Sequence, residues 1–257
     1  MDKQLRENLL SEFFTDPYYS LDYILDTIKQ NIEAKNGYAI MRVGDFDAAV
    51  LGQGCVFDWN FLRKNWGHKF NPNTKGICLP DIALRDRLVE AYRNADMLSR
   101  FALGKHLHLK NAYWYEFHGK IMVDALKYWR LLPENNFMYT FANREMLRFP
   151  EFWSLLKDYK TVLIGDKMEE VKQYLDKFNL NIVYAGDLCD DSDIKPRLKE
   201  LELIDYDWAL VAAASTAKIF ISEIKNKGKV GFDLGSANMN IINGFHDNTI
   251  REYLEGV

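Results

Sequence analysis

The feature that most constrains the fold is a regular alternation in the second half of the chain. Nearly continuous apolar segments at 161–165, 181–186, 208–213 and 229–233 are separated by stretches with helical spacing. A strand covered by helices on both faces is apolar on both sides, whereas a half-exposed strand alternates apolar and polar residues. The pattern therefore predicts an α/β fold with a Rossmann-like, mostly parallel sheet and helices on both faces.

The stretches between these strands carry signals for where helices begin. They predict helices at 167–178, 193–203 and 215–227. Asp166, followed three residues later by Glu169, predicts a capping box at the first of these helices. Ser215 is predicted to open the last one, where its hydroxyl could act as the N-cap.

The first half shows the same elements with less regularity. Apolar residues from Leu21 to Ile32 recur at helical spacing after Ser20, a potential N-cap, and a strand at 38–42 leads through a tight turn into a further helix. Helices near 81–95 and 116–130 and strands near 98–103 and 137–141 follow. Between them, 52–80 is predicted as a loop that covers a site, because it is long and lacks a clean period. Its aromatics, more typical of core than of ligand stacking, are Phe57, Trp59, Phe61, Trp66 and Phe70.

The domain organisation predicted from these patterns is one domain over 1–257. N-terminal helices occupy 1–36 and the Rossmann-like core occupies 37–257, with no repeat and no obvious linker between them. A boundary near residue 150 is the alternative, because the strand–helix series is cleanest after Phe149.

Composition excludes several classes of protein. The chain has 33 Lys and Arg against 37 Asp and Glu, a formal net charge of −4, and this balance argues against nucleic acid as the main partner. No apolar run approaches the roughly 20 residues of a transmembrane helix. The start MDKQLRENLL lacks the apolar core of a signal peptide, so a cytoplasmic location is expected.

Cysteine and histidine spacing gives little support for a thiolate or histidine metal site. Cys55, Cys78 and Cys189 are far apart, which favours small buried residues over disulfides or zinc ligands. His106 and His108 have the spacing of one face of a strand, and no H-E-x-x-H motif occurs.

Three segments that follow predicted strands combine small residues with polar ones. They are 42–47, 214–218 and 233–238. In an open parallel sheet the ligand crevice lies beyond the carboxyl ends of the strands, so these segments are the candidate site.

The first of these segments contains a pair of carboxylates on a tight turn. Asp45 and Asp47 could converge on Mg²⁺ or Mn²⁺, which prefer oxygen ligands and share them with substrate phosphates. The alternative is a helix start, with Asp45 as cap and Asp47 in the first turn, both favoured by the helix dipole. Arg42 could hold these carboxylates or bind a phosphate with two hydrogen bonds.

The other two segments could bind an anion. Ser215 and Thr216 begin a helix where free N–H groups and the helix dipole favour negative charge, although Ser215 could serve only as a cap. Lys218, one turn later, could reach a phosphate or extend into water. Gly235 and Ser236 allow close approach of a ligand to the backbone, and a plain turn explains them equally well.

Motifs of several competing enzyme classes do not occur in the sequence. Neither G-x-G-x-x-G nor the P-loop pattern is present, and no G-x-S-x-G elbow supports a hydrolase triad. Gly165 and Asp187 reproduce only half of a dinucleotide-binding pattern.

The segment Arg42-Val43-Gly44-Asp45-Phe46-Asp47 resembles the R-[FV]-G-D-G-E signature of bacterial GT-D-fold glycosyltransferases. Residues 213–218 and 232–236 resemble that family's G-[PA]-[TS]-A helix start and D-[IL]-G turn, and together the blocks span about 37–240. The chain departs from the pattern in two places. Asp47 replaces the glutamate of D-x-E, and Ser236 replaces the histidine after D-[IL]-G.

The resemblance implies a metal-dependent glycosyltransferase that moves a hexose from a nucleotide sugar, most plausibly a UDP-sugar, to a glycan or glycoprotein. It places Mn²⁺ or Mg²⁺ at Asp45 and Asp47, which are also the candidate catalytic residues, with one of them as a base if the metal leaves it free. The implied nucleotide-sugar contacts are Arg42, Gly44, Ser215, Thr216, Lys218, Asp233, Gly235 and Ser236. The sequence does not determine the oligomeric state, and a homo-oligomer is one possibility.

Two other functions compete with this hypothesis. One is a Rossmann-like enzyme that binds a nicotinamide or methyl-donor cofactor at Gly165 and Asp187. The other is a non-catalytic nucleotide-sugar-binding subunit of a glycosylation complex, in which Asp45 and Asp47 only stabilise a helix start.

Overall fold

The computed structural model describes residues 18–71, 77–100, 112–132, 137–245 and 248–251. Its helices are α1 (Leu21–Glu33), α2 (Asp45–Gly52), α3 (Trp59–Trp66), α4 (Ile82–Arg93), α5 (Ala112–Tyr128), α6 (Ala142–Met146), α7 (Pro150–Asp158), α8 (Met168–Leu175), α9 (Ile194–Leu201), α10 (Ala214–Asn226) and α11 (Ala237–Ile242). Its strands are β1 (Tyr38–Met41), β2 (Met97–Arg100), β3 (Met138–Tyr139), β4 (Thr161–Gly165), β5 (Ile182–Gly186), β6 (Trp208–Ala212) and β7 (Val230–Asp233).

The strands form one sheet in the order β3-β2-β1-β7-β6-β4-β5. Every neighbouring pair is parallel. The predicted mostly parallel α/β sheet is therefore confirmed. Strand β1, from the beginning of the described chain, pairs with both β2 and β7, so the two halves of the sequence share a continuous sheet.

Helices cover both faces of this sheet. Val230 pairs with Trp208, whose ring contacts Phe152 of α7, so these residues define one face. Gly231 points to the opposite face, where a Cβ would lie 2.8 Å from Ile221 of α10. Helices α2, α4 and α9 contact one another or α10 on that face, and α1, α6, α8 and α11 form the layer with α7.

The direction of the chain after β1 and β7 marks where a ligand crevice is expected. The helix that follows β1 is α2, which belongs to the layer of α10, whereas the helix that follows β7 is α11, which belongs to the other layer. Neighbouring parallel strands whose connections leave on opposite faces open a cleft at their carboxyl ends. The three candidate segments all lie at that edge.

Most predicted elements match the structure within a few residues, but two of the predicted helix caps do not. Helix α8 begins after Lys167 in the left-handed region, with no side-chain cap, so the Asp166–Glu169 capping box is wrong. Helix α10 begins at Ala214 after Ala213, so Ser215 lies inside the first turn and is not the cap. In contrast, Ser20 caps α1 as predicted, accepting a hydrogen bond from the N–H of Tyr23.

The predicted loop at 52–80 was also wrong in part, because it contains α3 and a 3₁₀ turn at Gly67–Phe70. The three cysteines are free, as expected, although Cys189 is exposed and Cys55 and Cys78 are only partly buried. His106, His108 and the end of the predicted strand 98–103 lie outside the described residues.

Candidate functional site

A buried ion cluster joins the three segments at the carboxyl edge of the sheet. The Lys218 Nζ lies 3.1 Å from Asp47 Oδ2 and 2.9 Å from Asp233 Oδ2. The side chains of all three residues are at most 5% exposed. An ammonium between two carboxylates offsets a like-charge repulsion that burial would otherwise make costly. This ion cluster of Asp47, Lys218 and Asp233 thus binds the β1–α2 turn, the start of α10 and the end of β7 to one another.

Both oxygens of Asp47 already have partners. The Ser215 hydroxyl donates to Oδ1 at 2.6 Å, and the N–H of Gly44 donates to Oδ2 at 2.8 Å, beside the Lys218 ammonium. Gly44 is the N-cap residue of α2, so Asp45 lies in the first turn and is not the cap. The Asp47 side chain therefore caps the start of α2 from the first turn of that helix, and its hydrogen bond with Ser215 connects α2 to α10.

Asp233 stabilises the turn that follows β7. Its Oδ2 accepts a hydrogen bond from the N–H of Arg42 at 3.2 Å, and its Oδ1 accepts one from the N–H of Gly235 at 3.0 Å. Gly235 has a φ of +51°, and a Cβ there would lie 1.8 Å from Arg42 Nη1. This turn therefore requires glycine for its backbone conformation and for the space that the guanidinium occupies.

Arg42 is held from several sides. Its Nε donates to the carbonyl of Thr140 at 2.7 Å, and its own carbonyl accepts from the Tyr92 hydroxyl at 2.9 Å. Only 9% of the residue is exposed. Arg42 is thus a fixed positive charge beneath the Gly235 turn.

Charge and burial act together on two groups of this site. Burial by itself lowers the pKa of Lys218, but the carboxylates of Asp233 and Asp47 outweigh it, and the pKa is raised above its usual value. Burial, with the charges of Asp47 and Asp233, raises the pKa of Tyr92 well above 10. Lys218 is consequently charged and Tyr92 neutral at physiological pH.

Asp45 differs from Asp47 in its surroundings. Its side chain is 44% exposed, and its Oδ2 lies 3.9 Å from Nδ1 of His118 on α5. Burial lowers the pKa of His118, and the charge of Asp45 opposes that shift. The His118 ring also meets Trp66 edge-on, with 6.2 Å between the centroids. Asp45 is the carboxylate of the acidic turn that solvent or a ligand can reach.

The remaining predicted residues lie in different environments. Thr216 is buried, and its hydroxyl has no hydrogen-bond partner within the described part of the chain. The Ser236 hydroxyl accepts a hydrogen bond from Arg144 Nη2 at 2.7 Å. Gly165 is the last residue of β4 and Asp187 follows β5, and a Cβ on Gly165 would meet the carbonyl of Ala212 at 2.1 Å. Close packing of strands β4 and β6 therefore explains Gly165 without a cofactor.

Sequence patterns did not identify several residues around the site. Tyr92 lies on α4, and its hydroxyl reaches the end of β1. Arg144 stacks on Phe141, 5.2 Å from the ring centroid, and is the exposed cation beside the Gly235 turn. Asn143 donates to the carbonyl of Leu234. Asn143 and Arg144 lie on α6, whose five residues are too few to show a helical period in the sequence.

The two carboxylates of the acidic turn fit a divalent cation unequally. Asp47 has both oxygens engaged and an ammonium in contact, so in this arrangement it does not fit a metal ligand. Asp45 fits, because Mg²⁺ commonly uses one or two carboxylates together with substrate phosphates. Within the described ranges, no group of three or more His, Cys, Asp or Glu side chains could hold a metal ion without a substrate.

Two surface grooves lie away from these residues. One, of about 530 Å³, runs between α4 and α10, and the other, of about 340 Å³, borders β2. Neither is lined by a residue of the three candidate segments. No helix in the part of the chain that the structure describes is long and apolar enough to cross a membrane.

Comparisons with known proteins agree with this architecture. The model of the GT-D fold-like domain family matches residues 19–241. Comparison with curated proteins gives no significant match.

Three solved structures are similar in fold. A structure described as the highly conserved domain of unknown function 1792, with a distinct glycosyltransferase fold, has a TM-score of 0.59 at 15% identity, covering 96% of this chain and 86% of that one. A selenomethionine-substituted structure of that domain gives 0.58 at 13% identity with the same coverage. A structure described as a new glycosyltransferase of this type from Streptococcus sanguinis gives 0.54 at 13%, covering 87% and 84%.

Proposed function

Because this chain belongs to the GT-D-like family of glycosyltransferase-fold domains, we propose that it transfers a hexose from a nucleotide sugar to a glycan or glycoprotein. The expected donor is a UDP-sugar. The observation that carries the proposal is the meeting of the three polar segments at the carboxyl ends of β1, β6 and β7, where the Ser215 hydroxyl lies 2.6 Å from Asp47.

The exposed groups at this crevice suit a diphosphate. Arg144 and Ser236 are hydrogen-bonded beside the Gly235 turn, and a planar guanidinium has the fork geometry that suits phosphate oxygens. The fixed charge of Arg42 lies behind them, beneath the Gly235 turn. Such preorganised positive charge offsets the negative charge that grows on a departing diphosphate.

A divalent cation fits this proposal through Asp45. Mn²⁺ or Mg²⁺ bound with the donor would take one carboxylate from Asp45 and its other oxygens from the diphosphate, supplying further charge stabilisation. Asp47, which the resemblance also assigns to the metal, would first have to leave Lys218. When no cation is bound to Asp45, this residue is also the better candidate for the base that accepts the proton of the acceptor hydroxyl. Asp47 is less suited to that role because it is buried.

The aromatic segment at 57–70 supports one side of the crevice. Trp66 is 5% exposed and contacts both Phe61 and His118, so it belongs to the core beside Asp45. Trp59 is 37% exposed and meets Phe70 edge-on. An apolar wall there would restrict water, whose attack on the donor is the competing reaction.

A thermal-shift screen of nucleoside diphosphates with and without Mn²⁺ tests the proposal. A bound ligand stabilises the folded state by about 2.7 kcal/mol at one hundred times its Kd, so UDP with Mn²⁺ should raise Tm by several degrees. Asp45→Asn should reduce that shift and abolish sugar transfer while leaving the unliganded Tm unchanged. Stabilisation by a dinucleotide and not by UDP would instead favour the cofactor enzyme. UDP binding with neither transfer nor donor hydrolysis would favour the non-catalytic subunit.

A further inference from the structure

Lys218 occupies the position in the acidic site where a metal ion would be expected to contact Asp47. Its Nζ contacts one oxygen of Asp47, one oxygen of Asp233 and the carbonyl of Ala214, at 3.1, 2.9 and 3.0 Å. Three oxygen contacts to one buried cation resemble the partial coordination shell of a metal ion, but the charge here belongs to the chain.

We propose that Lys218 is a built-in cation that positions Asp47 and Asp233, and that Asp45 is consequently the only carboxylate of the acidic turn that takes part in metal binding. The proposal rests on the proposed function for the role of the metal, but the positioning role of Lys218 does not require it. Lys218 is a positioning residue, because it acts through the two carboxylates.

The charges of the cluster support this assignment. Two buried carboxylates and one ammonium leave a net charge of −1, and the N–H groups of Gly44, Arg42 and Gly235 all point at carboxylate oxygens. Adding a divalent cation at Asp47 would bring it close to the ammonium, and like charges at that separation repel strongly in a buried site. A metal ion and Lys218 therefore compete for Asp47.

The cluster also has a geometric purpose. The hydrogen bond between Arg42 and Asp233 spans 191 residues of sequence, and the one between Ser215 and Asp47 spans 168. The Lys218 ammonium contacts both carboxylates. Loss of its charge should release the β1–α2 turn, which carries Asp45, relative to the Gly235 turn.

The test compares Mn²⁺ binding to four proteins by the loss of the free-ion electron paramagnetic resonance signal, in the presence of UDP. Asp45→Asn and Asp47→Asn are matched variants, because each replaces one carboxylate oxygen of the same turn with an amide nitrogen. Asp45→Asn should weaken Mn²⁺ binding at least tenfold without lowering Tm. Asp47→Asn should lower Tm and change Mn²⁺ affinity less than threefold, and an affinity loss as large as that of Asp45→Asn would overturn the proposal.

The fourth protein, Lys218→Ala, tests the built-in cation without nucleotide. Removing the ammonium leaves two buried carboxylates facing a space, so this variant should acquire a Mn²⁺ site and regain Tm or folding when Mn²⁺ is added. The wild type without nucleotide should gain less than one degree. The proposal is contradicted if Lys218→Ala stays unfolded, or equally destabilised, when Mn²⁺ is added. It is also contradicted if Mn²⁺ without nucleotide stabilises the wild type through Asp47.

The two arms separate this inference from the donor assignment. If UDP does not bind to the wild type, the proposed donor fails, yet rescue of Lys218→Ala by Mn²⁺ alone would still support the role of Lys218. If UDP and Mn²⁺ bind but Asp47→Asn weakens the metal tenfold, the donor assignment stands and the role given to Lys218 fails.

Discussion

At the scale of single residues, the site depends on groups that differ in exposure more than in chemistry. Asp45 and Asp47 are two residues apart, but one is 44% exposed and the other 4%. A D-x-D pattern in sequence does not contain this difference, because it arises from Lys218 and Ser215, which come more than 160 residues later and fold over Asp47. The sequence therefore predicted the segment and could not divide the roles within it.

Gly235→Ala tests the close approach at the second turn. The new Cβ would overlap Arg42 Nη1 and the residue would keep a φ of +51°, so we expect a loss of about 1–3 kcal/mol in unfolding free energy. Urea denaturation measures it. Gly67→Ala is the control, because a Cβ there has no neighbour within 4 Å and should change stability by less than about 0.5 kcal/mol. Equal effects at both glycines would contradict the close approach.

Glu145 makes stability depend on pH. Burial raises its pKa above the usual 4.5, and the charges of Arg148 and Arg144 oppose that shift. Because the folded state holds the proton more tightly than the unfolded state, its contribution is present below pH 4.5 and is lost as pH rises through the folded pKa. The unfolding free energy of Glu145→Gln should therefore increase relative to that of the wild type as pH rises from about 4 to about 7. Urea denaturation of both proteins at several pH values across that range measures the difference. A constant difference would contradict the shift.

At the scale of elements, periodicity predicted the buried strands well, since a parallel strand covered on both faces is apolar along its whole length. Strand β4 matched its predicted limits, and β6 and β7 differed by one residue. Helix starts were harder. Asp166 carries an acceptor in the right place for a cap, but the chain takes a left-handed turn at Lys167, beside the β4–β6 contact at Gly165.

The packing of β7 against α10 can be tested at one contact. A Cβ on Gly231 would lie 2.8 Å from Ile221 Cγ2, so Gly231→Ala should cost about 1–3 kcal/mol through overpacking. Ile221→Ala, which removes the Cγ2 and Cγ1 atoms that the new methyl group would meet, should alone cost about 2–5 kcal/mol. In the double variant the smaller side chain makes room for the new methyl group. The combined loss in chemical denaturation should be smaller than the sum of the single losses, and simple additivity would show that the two residues do not compete for space.

At the scale of the whole molecule, β1 makes the two halves of the sequence interdependent. It pairs with β2 on one side and β7 on the other, and the ion cluster connects the same two halves through side chains. Spacing along the chain predicted strands but not which strands are neighbours, because that order depends on which connections cross the sheet. The convergence of the site was therefore inferred from the rule for strand ends and from family resemblance.

Calorimetry tests whether the chain behaves as one domain. If β1 and the ion cluster join the halves as described, heating should give a single transition with equal calorimetric and van't Hoff enthalpies. Lys218→Ala should lower its midpoint, because removing one partner of a buried ion pair costs about 3–5 kcal/mol. Two resolved transitions in the wild type would support the alternative boundary near residue 150.

The place of β1 beside β7 also affects when this protein becomes competent during its synthesis. The turn that carries Asp45 is made early, but the strand that flanks it and the carboxylate that shares its internal cation are made about 190 residues later. A nascent chain on the ribosome can therefore have the acidic turn without a formed crevice, and sugar chemistry must wait until Asp233 has emerged.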